Sequence, residues 1–303
     1  MGRTGLATLL ALAAALMIGI GDVVQQRSAQ DVTDEQVGTW KLFGHLLRDR
    51  QWWAGTLTAA AGFALQAAAL DFGSVMLVQA LLVTSLLFAL LISAMVNHRR
   101  ISRWEGTWAL LLAAAVAVVV TVGNPQEGRD RAPLHAWVVA AAIMVPALVL
   151  CAIAARMFSG SIRAVLLGLM SGSLWGVFSV LTKGVVSQLG RGIAALLRTP
   201  ELYGWAVVGL SATAWEQSAF RAGPLTASLP IVTVSEPIVA SVLGATMLGE
   251  TVTTDHAGRV AVAVSVAVAI AAVVALARSE AAEVPRESGQ AGHKLAERTE
   301  TTE

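Results

Sequence analysis

The chain has 303 residues, of which 56% are hydrophobic and only 14% charged, with a mean hydropathy of +0.68. A soluble domain carries roughly 25% charged residues, so this chain cannot clothe a globule in polar surface, and water is excluded as its main solvent. Its 21 basic and 20 acidic residues leave a net charge of +1, which is no footprint for nucleic acid.

A helix that crosses a bilayer needs about 20 apolar residues. Such windows fall at 5–26, 52–71, 74–96, 104–123, 134–157, 163–186, 201–220, 225–248 and 257–278. They predict an all-α polytopic membrane bundle of about nine transmembrane helices. The first window runs on through Gly19 into Asp22 and Gln25-Gln26 without a cleavage-like site, which argues against a signal peptide. Between the first two windows, 33–51 is too charged to cross. Its Val37, Trp40, Phe43 and Leu47 recur at helical spacing and predict a helix lying on the interface. The polar stretch 279–303 reads as a disordered cytoplasmic tail. With that tail inside, fourteen Lys/Arg flank the spans on the cytoplasmic side and seven on the other. That bias places the N-terminus outside.

The chain also matches itself. Gly19-Ile20-Gly21-Asp22 aligns with Gly176-Val177-Phe178-Ser179, and Trp53, Ala69, Gly73 and Ser85 align with Tyr203, Ala219, Gly223 and Ser235. Each half reads as a long helix, an amphipathic piece, two helices joined by a tight turn, and a closing helix. An odd number of spans separates the paired helices, so the halves would be inverted across the bilayer. Inverted four-helix repeats imply alternating access around a site near the midplane. On this scheme 1–124 is the first repeat, 125–162 a linking transmembrane helix and 163–278 the second repeat.

These residues resemble a family. Met247-Leu248-Gly249-Glu250-Thr251, with Pro237 before it and Gly258 after it, is similar to the closing signature of the drug/metabolite transporter superfamily with EamA-type repeats. Leu174-Trp175-Gly176 looks like its opening Trp-Gly. In layout the chain is most similar to the NIPA-type magnesium transporters, through Trp52-Trp53-Ala54-Gly55, Ala69-Leu70-Asp71-Phe72-Gly73, Val78-Gln79-Ala80-Leu81, Gly172-Ser173-Leu174 and Lys183. The resemblance covers about residues 5–278. It departs at Ala80, where a Pro is usual, and at Leu65-Gln66, which replaces an acidic-plus-Asn pair.

Charged groups within a bilayer are costly, and function is the default reading when one is retained. Glu236 is the sharpest candidate, in mid-span beside Pro237, with Pro230 seven residues before that proline. Both prolines delete a backbone donor, which predicts a broken helix with a carboxylate at membrane depth. Glu216, Asp22, Gln26, Gln66, Gln79 and Trp175 are further candidates for solute or coupling-ion binding. Lys183 is a candidate partner for one of the intramembrane carboxylates. Glu250, at the outer end of its span, is expected to cap the next helix. Gly168, Gly172 and Gly176 recur every four residues and predict close helix packing.

Other chemistry has no sequence support. The single Cys151 gives neither a disulfide framework nor a cysteine zinc site. The five His lack metal-ligand spacing, no phosphate loop is present, and no catalytic set is visible. The expectation is a plasma-membrane, multi-pass secondary transporter that is not an enzyme and needs no cofactor or bound metal. Its partners would be a small solute or ion, the lipid bilayer and, as an open alternative, a second copy of itself. A divalent-cation transporter or channel and a non-transporting scaffold are the rival readings.

Overall fold

With no water in a bilayer core, backbone N–H and C=O groups must be satisfied within their own segment, which favours helices. The computed structural model describes residues 2–31, 50–96, 100–222 and 225–300, and nearly all of them are helical. The helices are α1 (Arg3–Asp31), α2 (Arg50–Phe72), α3 (Val75–Leu82), α4 (Ser85–Val96), α5 (Arg103–Thr121), α6 (Leu134–Met157), α7 (Gly160–Val186), the short α8 (Ile193–Leu197), α9 (Pro200–Ala222), α10 (Leu225–Leu243) and α11 (His256–Glu300). A π-helical turn, Gly244–Leu248, extends α10. Strands β1 (Pro125–Gln126) and β2 (Thr251–Val252) pair antiparallel, Pro125 with Val252 and Gln126 with Thr251. The chain is a multi-pass membrane helix bundle.

Eight described segments are long and apolar enough to cross a membrane. The ninth expected span, 201–220, does form helix α9, but Glu201, Glu216, Gln217 and Arg221 make it more polar than the other eight. The third expected span is two helices, α3 and α4, parted at Val83–Thr84, where the Thr84 hydroxyl bonds to the Leu81 carbonyl at 2.6 Å. The expected interfacial piece 33–51 lies outside the described residues except at its last two, which open α2.

Two expectations are corrected. The helix that carries Pro230 and Pro237 is not broken at either; α10 runs through both. Within α10, Thr233 and Ser235 donate their hydroxyls to carbonyls one turn earlier, Leu229 at 2.8 Å and Ile231 at 2.6 Å. The departure from α-geometry falls instead at Gly244–Leu248 and ends at Gly249, whose φ of 69° suits glycine. Likewise the stretch after Arg278, expected to be disordered, continues α11 to Glu300, as its Ala- and Glu-rich composition permits.

Small residues set the packing. A β-carbon on Gly176 would sit 2.9 Å from both the Glu236 carbonyl and the Ala240 nitrogen, and one on Gly172 would strike Ser235. Gly168 meets Ile231 on the same face. Backbone therefore lies on backbone where α7 crosses α10, the contact that small residues allow in membranes. Helix α1 makes the corresponding approach to α4: a β-carbon on Gly19 would lie 2.8 Å from the Ser85 carbonyl and 3.0 Å from the Ala89 nitrogen. Helix α1 also packs along α2, α7 along α9, and α5 against α11. The main core joins residues of α1, α3, α5, α7, α10 and α11, including Ala11, Leu77, Leu112, Val180, Leu243 and Val273. Helix α6 keeps Val138, Ile143 and Leu150 exposed, as a lipid-facing helix would.

Candidate functional site

Polar side chains from four helices converge beside the α7–α10 crossing. Gln79 on α3 is 2% exposed. Its amide nitrogen donates to Ser179 Oγ on α7 at 2.7 Å, and its side chain also interacts with the Glu236 carboxylate of α10. Glu216 on α9 is the electrostatic neighbour of Glu236, and it accepts from Trp175 Nε1 at 3.0 Å. The structure thus brings together Glu236, Glu216, Gln79 and Trp175, which the sequence leaves scattered across four windows.

An aromatic row runs from this cluster along α7. Phe63 of α2 stacks on Trp175 at a centroid distance of 6.1 Å, Trp175 meets Phe178 edge-on at 5.2 Å, and Phe178 stacks on Trp205 of α9 at 5.0 Å. Trp205 donates to Thr182 Oγ1 at 3.0 Å. Ser179 was not among the sequence candidates. A signal for it existed: Trp175, Ser179 and Lys183 are spaced four apart, which puts all three on one face of α7.

Lys183 does not partner Glu236 or Glu216. Its ammonium donates to the Gly73 carbonyl at 2.6 Å and lies 3.6 Å from Glu250 Oε1, with both side chains almost wholly buried. Glu250 in turn accepts from the backbone amides of Val75 at 2.7 Å and Met76 at 3.0 Å. It therefore caps α3, in the other half of the chain, and not the helix that follows it. The cause is local: Ser74 occupies the N-cap of α3, and its side chain accepts from Leu77, not from Val75 or Met76. The first amides of that helix stay unpaired and attract an anion. Burial pushes the Glu250 carboxyl up from the ordinary carboxylate range, while the Met76 and Val75 amides and Lys183 pull it back.

At the same end of the bundle, Arg131 grips Glu201 at the start of α9 through three hydrogen bonds of 2.6–2.9 Å. The Arg129 amide donates to the Leu248 carbonyl at 2.7 Å.

Gln66 is buried on α2 at 4% exposure. Asp22 and Gln26 belong to α1, and their side chains lie outside what is described. Among the described residues no group of three or more His, Cys, Asp or Glu is placed to hold a metal ion. Chemically, the cluster offers two carboxylates at the seam of four helices, with an amide, a hydroxyl and an indole N–H to orient them.

No family model and no solved structure matches the chain. It is 38% identical over 247 residues to an uncharacterized protein of Corynebacterium glutamicum, a match that spans 81% of this chain and 85% of that one. At that identity and coverage the two share an ancestor and a fold, and this helix bundle belongs to the same family as the Corynebacterium glutamicum protein.

Proposed function

We propose that the protein is a secondary transporter of the drug/metabolite type, in the plasma membrane, which moves a small solute by alternating access between two inverted halves. The observation that carries this reading is the pair Glu236 and Glu216, held among α3, α7, α9 and α10 with Gln79 of the opposite half against Glu236. Retaining such groups within a bilayer is costly, and solute or proton pathways are where proteins keep them.

The pattern of contacts supports a repeat. Gly19 aligns with Gly176 at an offset of 157 residues, and Ser85 with Ser235 in a second match at an offset of 150. Gly19 packs on Ser85, while Gly176 packs on Glu236, one residue beyond Ser235. The same two offsets pair Ala14 with Ser171 and Gly62 with Ala212. Gly62 lies against the Ala14 carbonyl, and Ser171 donates to the Ala212 carbonyl at 3.0 Å. Positions equivalent or adjacent under these matches lie close in both halves, which supports the reading of an internal repeat.

In this reading Glu236 binds the solute or the coupling proton, Glu216 raises the local demand for a positive charge, and Gln79 and Ser179 orient the first carboxylate. The test is a solute screen by thermal stabilisation of the purified protein, since a ligand that binds the folded state raises its stability. Flux of each hit into proteoliposomes, under and without a proton gradient, then follows. Failure of every stabilising solute to cross the membrane overturns the reading. A divalent cation is the second reading, favoured by the oxygen donors of Glu236, Glu216, Gln79 and Ser179. Stabilisation by Mg²⁺ that both Glu→Gln variants abolish would select it.

A further inference from the structure

We propose that the apolar cavity enclosed by α3, α5, α10 and α11 is a docking site for one acyl chain of a bilayer phospholipid. The cavity has a volume of about 320 Å³. Its inner wall includes Val116 and Val273, both buried, and its rim includes Ile238, Val242 and Val266, all exposed. Thr233 and Ser241 are its only hydroxyl-bearing residues, and the Thr233 hydroxyl donates within its own helix.

Water does not suit such a space. A buried water needs two to four polar partners, and an apolar cavity of ~150 Å³ already stays dry and takes up a hydrocarbon. This cavity is larger than that, and its open side faces outward from a bundle whose surroundings are lipid tails. Depth identifies the occupant further. Pro125 of β1 and Val252 of β2 line the cavity, at the level where α5 and the π-helical turn end and non-helical backbone begins. That is interfacial depth, where a phospholipid keeps its headgroup while a chain descends between the helices. The wall also contains Ala80 and Pro237, the sequence neighbours of Gln79 and Glu236. A chain seated there braces the two helices that carry Gln79 and Glu236, whether or not the protein transports a solute.

Photo-crosslinking tests this. The full chain is reconstituted in vesicles of phosphatidylethanolamine and phosphatidylglycerol containing a trace of phosphatidylcholine with a diazirine near the end of one chain. After irradiation, peptides are mapped. Adducts are expected at Val116 or Val273, and they should fall several-fold when Ala80→Phe and Ala269→Phe fill the space. Adducts on lipid-facing Val145 of α6 should be unchanged. If the double substitution does not yield folded protein, Ser241→Leu is used in its place. Absence of adducts on the inner wall of the native chain overturns the proposal, as does equal labelling of native and filled proteins. Labelling of that wall by a diazirine-bearing free fatty acid but not by the phospholipid overturns it too.

Discussion

Single residues divide into those that bind and those that tie. Glu236 and Glu216 are electrostatic neighbours on α10 and α9, each with a neutral hydrogen-bond partner, whereas Lys183 and Glu250 neutralise each other. Glu236→Gln keeps shape and most hydrogen bonds but removes the titrating group. The expected outcome is unchanged folding, with gradient-driven accumulation of solute in proteoliposomes reduced to background. Accumulation with its pH dependence intact would move the assignment to Glu216.

The Lys183–Glu250 tie behaves differently. Removing one partner leaves a buried charge uncompensated, which costs about 3–5 kcal/mol. Lys183→Met or Glu250→Gln alone should therefore lower thermal stability sharply. The double variant should lose less than the sum, because no lone charge remains and the new side-chain amide oxygen still accepts from one of the two amides, Val75 or Met76. A double-mutant cycle measures this coupling; additive losses would show that the two side chains act independently. Sequence alone made Glu236 a candidate because a carboxylate in an apolar window stands out by itself. It could not name the partner of Lys183, which depends on where the Gly73–Ser74 turn comes to rest.

Elements were legible where the rule is local and less so where it is not. The glycine row on α7 is visible as a spacing of four, and α10 is the helix that fills it. Gly172→Leu puts a side chain where Ser235 and the Val232 carbonyl already lie. Overpacking of this kind costs typically about 1–3 kcal/mol, occasionally more. Loss of monodisperse protein on size-exclusion chromatography, or a marked fall in melting temperature, is expected. A variant with native stability would show that α7 and α10 separate freely. The prolines misled because a membrane helix tolerates a residue that lacks one donor without breaking. Helix α10 runs through both, and the irregular turn forms instead at Gly244–Leu248, where Gly249 permits a left-handed exit.

For the whole molecule, the polar contacts at one end constrain the threading. Arg3 donates to the Asp71 carbonyl, Lys183 to Gly73, and Arg131 to Glu201, while β1 pairs with β2. All of these lie at helix ends that alternate along the chain, α9 included. With the N-terminus outside, that end is extracellular. In a Cys151→Ala background, Asp130→Cys should react with a membrane-impermeant maleimide added to intact cells, and Glu303→Cys only after the cells are opened. The reverse pattern overturns the orientation, and both sites reacting from one side would require a different number of crossings.

What the sequence alone determined is the solvent, the helical class and the approximate place of each span. Those follow from windows of about 20 residues, within which a helix satisfies its own backbone whatever surrounds it. It also exposed the glycine face and the intramembrane acids, since both are local departures from composition. The tertiary structure decided which groups meet: Gln79 with Ser179 and Glu236, Trp175 with Glu216, and Glu250 with the first amides of α3. It decided too that α3, α5, α10 and α11 leave a space between them. Such pairings depend on the lateral arrangement and rotation of helices, which hydropathy along one chain leaves undetermined because every side of a membrane helix is apolar enough to face lipid.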